Sequence, residues 1–110
     1  MLTEQIKKEL VARIKATEKV DKILLFGSQA TGNSGPDSDI DLLVVLNDET
    51  LPRSFKERST NFLHVSRAIR DIEKIYPIDL LVYTKPEFEM IKQRESLFIR
   101  RLLKDAIELT

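Results

Sequence analysis

Residues 26–46 read FGSQATGNSGPDSDIDLLVVL. An apolar run ends on Gly27-Ser28, a stretch of small and polar residues follows, and Asp39 and Asp41 open a second apolar run. Side chains alternate across a strand, so the two carboxylates share one face while Ile40 and Leu42 take the other. The segment DIDLLVVL at 39–46 is the strongest strand signal in the chain. Before it, Ile23-Leu24-Leu25-Phe26 is a short apolar run stopped by Gly27, which suits a buried strand. Between the two runs, the Gly, Ser, Thr and Asn content and the Gly35-Pro36 pair indicate a loop with room for one helical turn.

Working outward, Asn47 to Pro52 is a polar exit. From Arg53 to Ile75 the apolar positions Phe55, Phe62, Val65, Ile69 and Ile72 follow helical spacing, and Pro77 ends that helix. IDLLVY at Ile78 to Tyr83 reads as another strand. The roughly twenty residues of helix between these strands match the length a parallel crossover requires. The 39–46 and 78–83 strands are therefore expected to lie parallel and adjacent. Thr84 and Glu87 have capping-box spacing and announce a helix carrying Phe88 and Ile91. A last helix is expected from Ser96 to Lys104, and AIELT at the end suits a short edge strand. Toward the N-terminus, Leu2, Ile6, Leu10 and Ile14 recur every four residues and line one face of a helix from Thr3, its N-cap, to Lys19. The expected fold is α/β, a small mixed β-sheet with flanking helices. No repeat or linker divides the 110 residues, so 1–110 is expected to form one domain.

Composition narrows the function classes. Eighteen basic residues balance eighteen acidic ones, which gives no sign of direct nucleic acid binding or of an anionic membrane surface. Without cysteine there are no disulfides or thiolate metal sites, and the one histidine, His64, cannot build a zinc site alone. No apolar run approaches the ~20 residues that cross a bilayer, and the N-terminal segment lacks a signal-peptide pattern. The cytoplasm is the expected setting.

Parallel neighbouring strands begin at the same end of a sheet, so Asp79 would join Asp39 and Asp41. Three close carboxylates repel one another and resist ionising, whereas a divalent cation favours their charged forms. Hard oxygen donors suit Mg²⁺ or Mn²⁺, with a nucleotide's phosphates completing the shell. Two such ions roughly 4 Å apart clamp the attacking and leaving oxygens of an in-line displacement. Gly27 permits close approach of a polyphosphate, and backbone N–H groups with the Ser28 hydroxyl can meet its oxygens. No Gly-Lys-Ser or Gly-Lys-Thr follows, so this is not a Walker loop. Asp-Ile-Asp at a strand start also serves plain solvation or turn capping; it is the ordered combination of strand, glycine, loop, paired acids, crossover helix and third acid that points to a metal site.

That combination resembles the minimal nucleotidyltransferases of the DNA polymerase β-like nucleotidyltransferase superfamily. The carrying stretches are LLFGSQATGNSGPDSDIDLLVV and IDLLVYT, and the likeness runs from the first helix to the closing AIELT. The resemblance implies that Asp39 and Asp41 bind both of two Mg²⁺ ions, and that Asp79 binds one and helps activate the incoming hydroxyl. Gly27 and Ser28 would hold the triphosphate of the donor, ATP, and AMP would pass to a hydroxyl. Relatives often carry Arg two places after the glycine, where this chain has Gln29, which removes one phosphate contact. Relatives of this size pair with a helical HEPN toxin, an RNase, and act as antitoxins by adenylylating a tyrosine on it; the resemblance thus implies a hetero-oligomeric partner of that kind. Two alternatives stand beside this reading: transfer to a small molecule or RNA end, and inhibition of a partner by masking alone. Arg53, Lys56 and Arg58 could reach phosphates or form a solvated basic face, and Arg94, Arg100, Arg101 and Lys104 could meet a partner or face water; His64 reads as a helix-flank residue, and Tyr76 and Tyr83 as packing residues.

Overall fold

A computed structural model describes residues 3–17, 19–31, 39–94 and 97–110, with the side chains of Ser28, Thr31 and Phe98 left aside. Most of the loop expected between Gly27 and Ser38, Leu2 of the first helix face and the expected helix start at Ser96 lie outside the described residues. The elements in order are α1 (Glu4–Lys15), β1 (Val20–Phe26), α2 (Ser28–Thr31), β2 (Ile40–Leu46), α3 (Phe55–Ala68), α4 (Arg70–Glu73), β3 (Ile78–Thr84), α5 (Lys85–Gln93), α6 (Leu97–Asp105) and β4 (Ile107–Glu108).

The sheet is mixed, in the order β3-β2-β1-β4. β2 and β3 run parallel with Asp41 opposite Asp79, as the crossover length implies, and β1 pairs antiparallel with both β2 and the short β4. β2 is central and buried at every residue except Asp41. Strand alternation sends Leu42, Val44 and Leu46 into a core with Leu10 and Ile14 of α1, Val65 of α3 and Ile72 of α4. Leu43 and Val45 pack on the other face with Phe88 of α5 and Leu102 of α6. A strand covered on both sides reads as a continuous apolar run, which is why DIDLLVVL stands out in the sequence.

Two helices are shorter than their periodicity suggests. α1 begins at its expected cap, where the Thr3 side chain accepts the Ile6 N–H at 3.2 Å, but stops at Lys15 rather than Lys19. Ile14 is its last buried residue, and Thr17 donates both its N–H and its hydroxyl to the Ile14 carbonyl, drawing the chain off toward β1. The helix expected over 53–75 divides at Ile69, whose φ of −117° and ψ of 17° leave the helical region. Ile69 donates to the Ser66 carbonyl at 3.2 Å, and the Ser66 hydroxyl reaches Glu73 across the break at 3.1 Å. The turn of the axis lets both Ile69 and Ile72 enter the core.

The capping box at Thr84 forms as spaced: Glu87 Oε1 accepts the Thr84 N–H at 3.0 Å, and Thr84 Oγ1 accepts the Glu87 N–H at 3.4 Å. Both residues are buried, so the polar groups have no water to fall back on. Thr84→Val is expected to lower unfolding free energy by about 1–2 kcal/mol in urea titrations, at the upper end of N-cap losses. No helix among the described residues is long and apolar enough to cross a membrane.

Candidate active site

The entry edge of the sheet gathers three features. β2 begins at Ile40, whose N–H donates to the Pro77 carbonyl at 2.9 Å and locks the starts of β2 and β3 together. That bond sets the register that places Asp41 beside Asp79. On the other side of β2, Phe26 at the end of β1 pairs with Asp41, so Gly27 follows directly over the same carboxylate.

Gly27 has φ +73°, the left-handed region that glycine enters without penalty. A Cβ at this position would fall on Oδ2 of Asp41, with Cγ only 3.2 Å away. The glycine therefore serves both as a backbone reversal and as the space in which Asp41 sits. The Gly27 carbonyl accepts the Ala30 N–H at 3.1 Å and starts the single turn α2.

Asp41 carries the electrostatic signature of the site. Its carboxyl is raised from 3.8 to about 6, first by burial, then by the charge of Asp79, by a hydrogen bond with Asp79, and last by the charge of Asp39. Burial and a like charge alongside both oppose ionisation, so Asp41 gives up its proton later than an ordinary carboxyl does. The structure thus sets Asp41 beside Asp79 in register and leaves Asp39, exposed at the mouth of β2, at electrostatic range. Among the described residues no three His, Cys, Asp or Glu side chains already form a closed metal cage. The donor set is nevertheless the hard, all-oxygen kind that Mg²⁺ takes, and the repulsion between Asp41 and Asp79 is what a divalent cation would relieve. The residues fit such an ion. The Ser28 hydroxyl lies outside the described atoms, and Gln29 is half-buried beside the glycine.

The remaining polar residues divide. His64 Nε2 stands 3.4 Å from the Thr17 carbonyl, joining α3 to the end of α1. Tyr76 packs against the core, in keeping with its reading as a packing residue. Arg58 is less idle than a solvated helix face: its Nε lies 3.5 Å from Oε2 of the buried Glu87. With Tyr83, Met90 and Arg94 these two line a cavity of about 280 Å³. Tyr83 is raised there by burial and by the Glu87 charge, with Arg58 opposing. In the sequence only the Thr84–Glu87 capping spacing hinted at this corner, because Arg58 is distant along the chain.

Comparison with known proteins follows the same lines. The family model described as "Polymerase beta, Nucleotidyltransferase" matches residues 4–106. No curated protein is a significant match. Among solved structures, a Sulfolobus solfataricus protein described as a candidate nucleotidyltransferase is 25% identical, with a TM-score of 0.62 over 94% of this chain and 76% of that one. A chain of a toxin–antitoxin complex with AMP-PNP is 18% identical, with a TM-score of 0.59 over 94% and 72%. A chain from the complex of a tri-AMPylated Shewanella oneidensis HEPN toxin with an MNT antitoxin is 16% identical, with a TM-score of 0.55 over 98% and 72%. The last two likenesses are of fold.

Proposed function

Since this chain belongs to the polymerase beta nucleotidyltransferase family, we propose that it transfers AMP from ATP to a tyrosine hydroxyl of a HEPN-type toxin and so acts as the antitoxin of the pair. The observation that carries the reading is the pairing of Asp41 with Asp79 at the shared start of two parallel strands, with the Asp41 carboxyl raised to about 6. A carboxyl whose ionisation is opposed by burial and by a neighbouring acid is one whose charged form a bound cation would favour. The complex of an AMPylated HEPN toxin with an MNT antitoxin, one of whose chains shares this fold, supports the choice of partner and of AMP as the group transferred.

Asp39 and Asp41 would hold two Mg²⁺ ions, and Asp79 would hold one of them. Bound there, Mg²⁺ supplies the positive charge that offsets the triphosphate and the oxygens of an in-line displacement. Gly27 lets the triphosphate lie against the backbone, and Ser28 contributes its N–H and hydroxyl. Asp79, exposed on the outer strand, takes the proton of the incoming hydroxyl as oxygen attacks the α-phosphorus and pyrophosphate leaves. Residues 1–110 act as one domain and the partner encloses the rest of the cleft, in the cytoplasm.

The test is direct. Protein, ATP, Mg²⁺ and a HEPN partner should yield partner molecules heavier by whole AMP units in mass spectrometry, and EDTA should stop the gain. A partner that is neutralised at full strength with no added mass would favour masking instead. Cation uptake should also depend on pH, since the ion competes with the Asp41 proton. Mn²⁺ affinity is expected to fall about tenfold per unit as pH drops below 6, and to level off above it.

A further inference from the structure

The face beside β3 is largely apolar and open. β3 is an outer strand, and among the described residues it pairs only with β2. Pro77 directs its carbonyl to β2 and Thr84 turns its N–H away to Glu87, so alternation sends the N–H and C=O groups of Ile78, Leu80 and Val82 outward. A groove of about 530 Å³ runs along this edge. Leu80, Leu81, Val82 and Tyr83 all line it; consecutive residues point to opposite faces, so the groove follows the rim of the sheet itself. Its other wall is α3, where Phe55 is 86% exposed and Phe62 and Leu63 about half as much. Unpaired strand edges flanked by exposed apolar side chains are the surfaces that soluble proteins cover.

We propose that two copies of this chain pair antiparallel through β3, making one eight-stranded sheet. The two-fold register centred on Leu80 sets Leu80 against itself and Ile78 against Val82, so all three outward positions meet apolar partners. The axis stands perpendicular to the sheet, and each α3 then faces the other across the seam, covering Phe55, Phe62 and Leu63. Charge agrees with the same register. Arg58 lines the groove beside Tyr83, at one end of β3, and Asp79 lies at the other. Antiparallel pairing keeps the two Arg58 side chains, each beside its own Glu87, at opposite ends of the seam, where a parallel arrangement would set Arg58 against Arg58. Aromatic residues with arginine are also the composition that concentrates in the centre of protein interfaces.

The pairing is read from mass and cross-linking, not from nucleotide transfer, so it stands or falls apart from the proposed activity. The full chain at rising concentration should approach twice its 12.7 kDa in light scattering. The chain has no cysteine, so Leu80→Cys introduces a lone thiol at the axis, within disulfide range of its counterpart. Oxidation should join it into a covalent dimer. Phe55→Asp, at a position too exposed to threaten folding, should weaken dimerisation at least about tenfold. A monomer at all concentrations overturns the proposal; so does a dimer that ignores Phe55→Asp while Leu80→Cys stays uncrosslinked.

Discussion

Asp41→Asn is expected to cut nucleotide transfer at least about 10³-fold, ~4 kcal/mol in the barrier, while raising the melting temperature of the metal-free protein at pH 7. The two effects have opposite signs because one carboxyl plays two parts. In the free protein Asp41 is pressed against Asp79 and partly buried, and its folded pKa of about 6 lies above its ordinary 3.8. A carboxyl raised on folding binds protons more readily in the native state, so its favourable contribution is complete below the ordinary value. It is lost as pH climbs through about 6, and at neutral pH the ionised group opposes folding. Asn keeps the shape, removes the charge and leaves Asp79 without a like neighbour. The proposed ions, however, lose their shared ligand. Thermal melts at pH 5 and pH 7 beside transfer assays distinguish this from a structural role: the variant's gain should appear at pH 7 and shrink at pH 5. A variant that loses activity and stability together at pH 7 would mark Asp41 as a fold residue.

Gly27→Ala should be the next most damaging single change. An L-residue at φ +73° costs about 1–2 kcal/mol, and the new methyl falls on the Asp41 carboxylate. Displacing a reacting group by about 1 Å can cost 10²-fold in rate, so transfer should fall by about that factor or more, beyond what lost stability explains. Gly27→Asn separates the causes. Asn tolerates the left-handed conformation better than Ala, yet its Cβ meets Asp41 in the same way. Urea titration should therefore rank Asn above Ala in stability while both stay inactive. An active Gly27→Asn protein would show that the space over Asp41 is not needed.

The sheet and its acids were legible because strand β2 is buried on both faces. An uninterrupted LLVVL with two acids at its mouth has few other structural uses, and the crossover length forced Asp79 to the same end. Register did the rest: one residue of slip between β2 and β3 would have turned Asp79 to the opposite face. What escaped the sequence was of two kinds. Helix ends depend on tertiary need, and neither the break at Ile69 nor the early stop of α1 has a glycine or proline to announce it. Phe55 and Phe62 share the period of Val65 and Ile72, but only the deeper half of that stripe reaches the core. Periodicity reports which side of a helix is apolar; it does not say whether this chain or another covers it.

If carboxylates from two neighbouring strands jointly hold divalent cations with the nucleotide, ion and nucleotide should bind together and depend on both strands. Calorimetric titration of Mg²⁺ with a non-hydrolysable ATP analogue at pH 7.5 tests it most directly, with wild type compared to Asp41→Asn and Asp79→Asn. Saturable uptake of ion and nucleotide is expected for the wild type, disappearing in Asp41→Asn and weakening at least about tenfold in Asp79→Asn. Equal uptake by all three proteins, or none by the wild type even with its HEPN partner present, would contradict it.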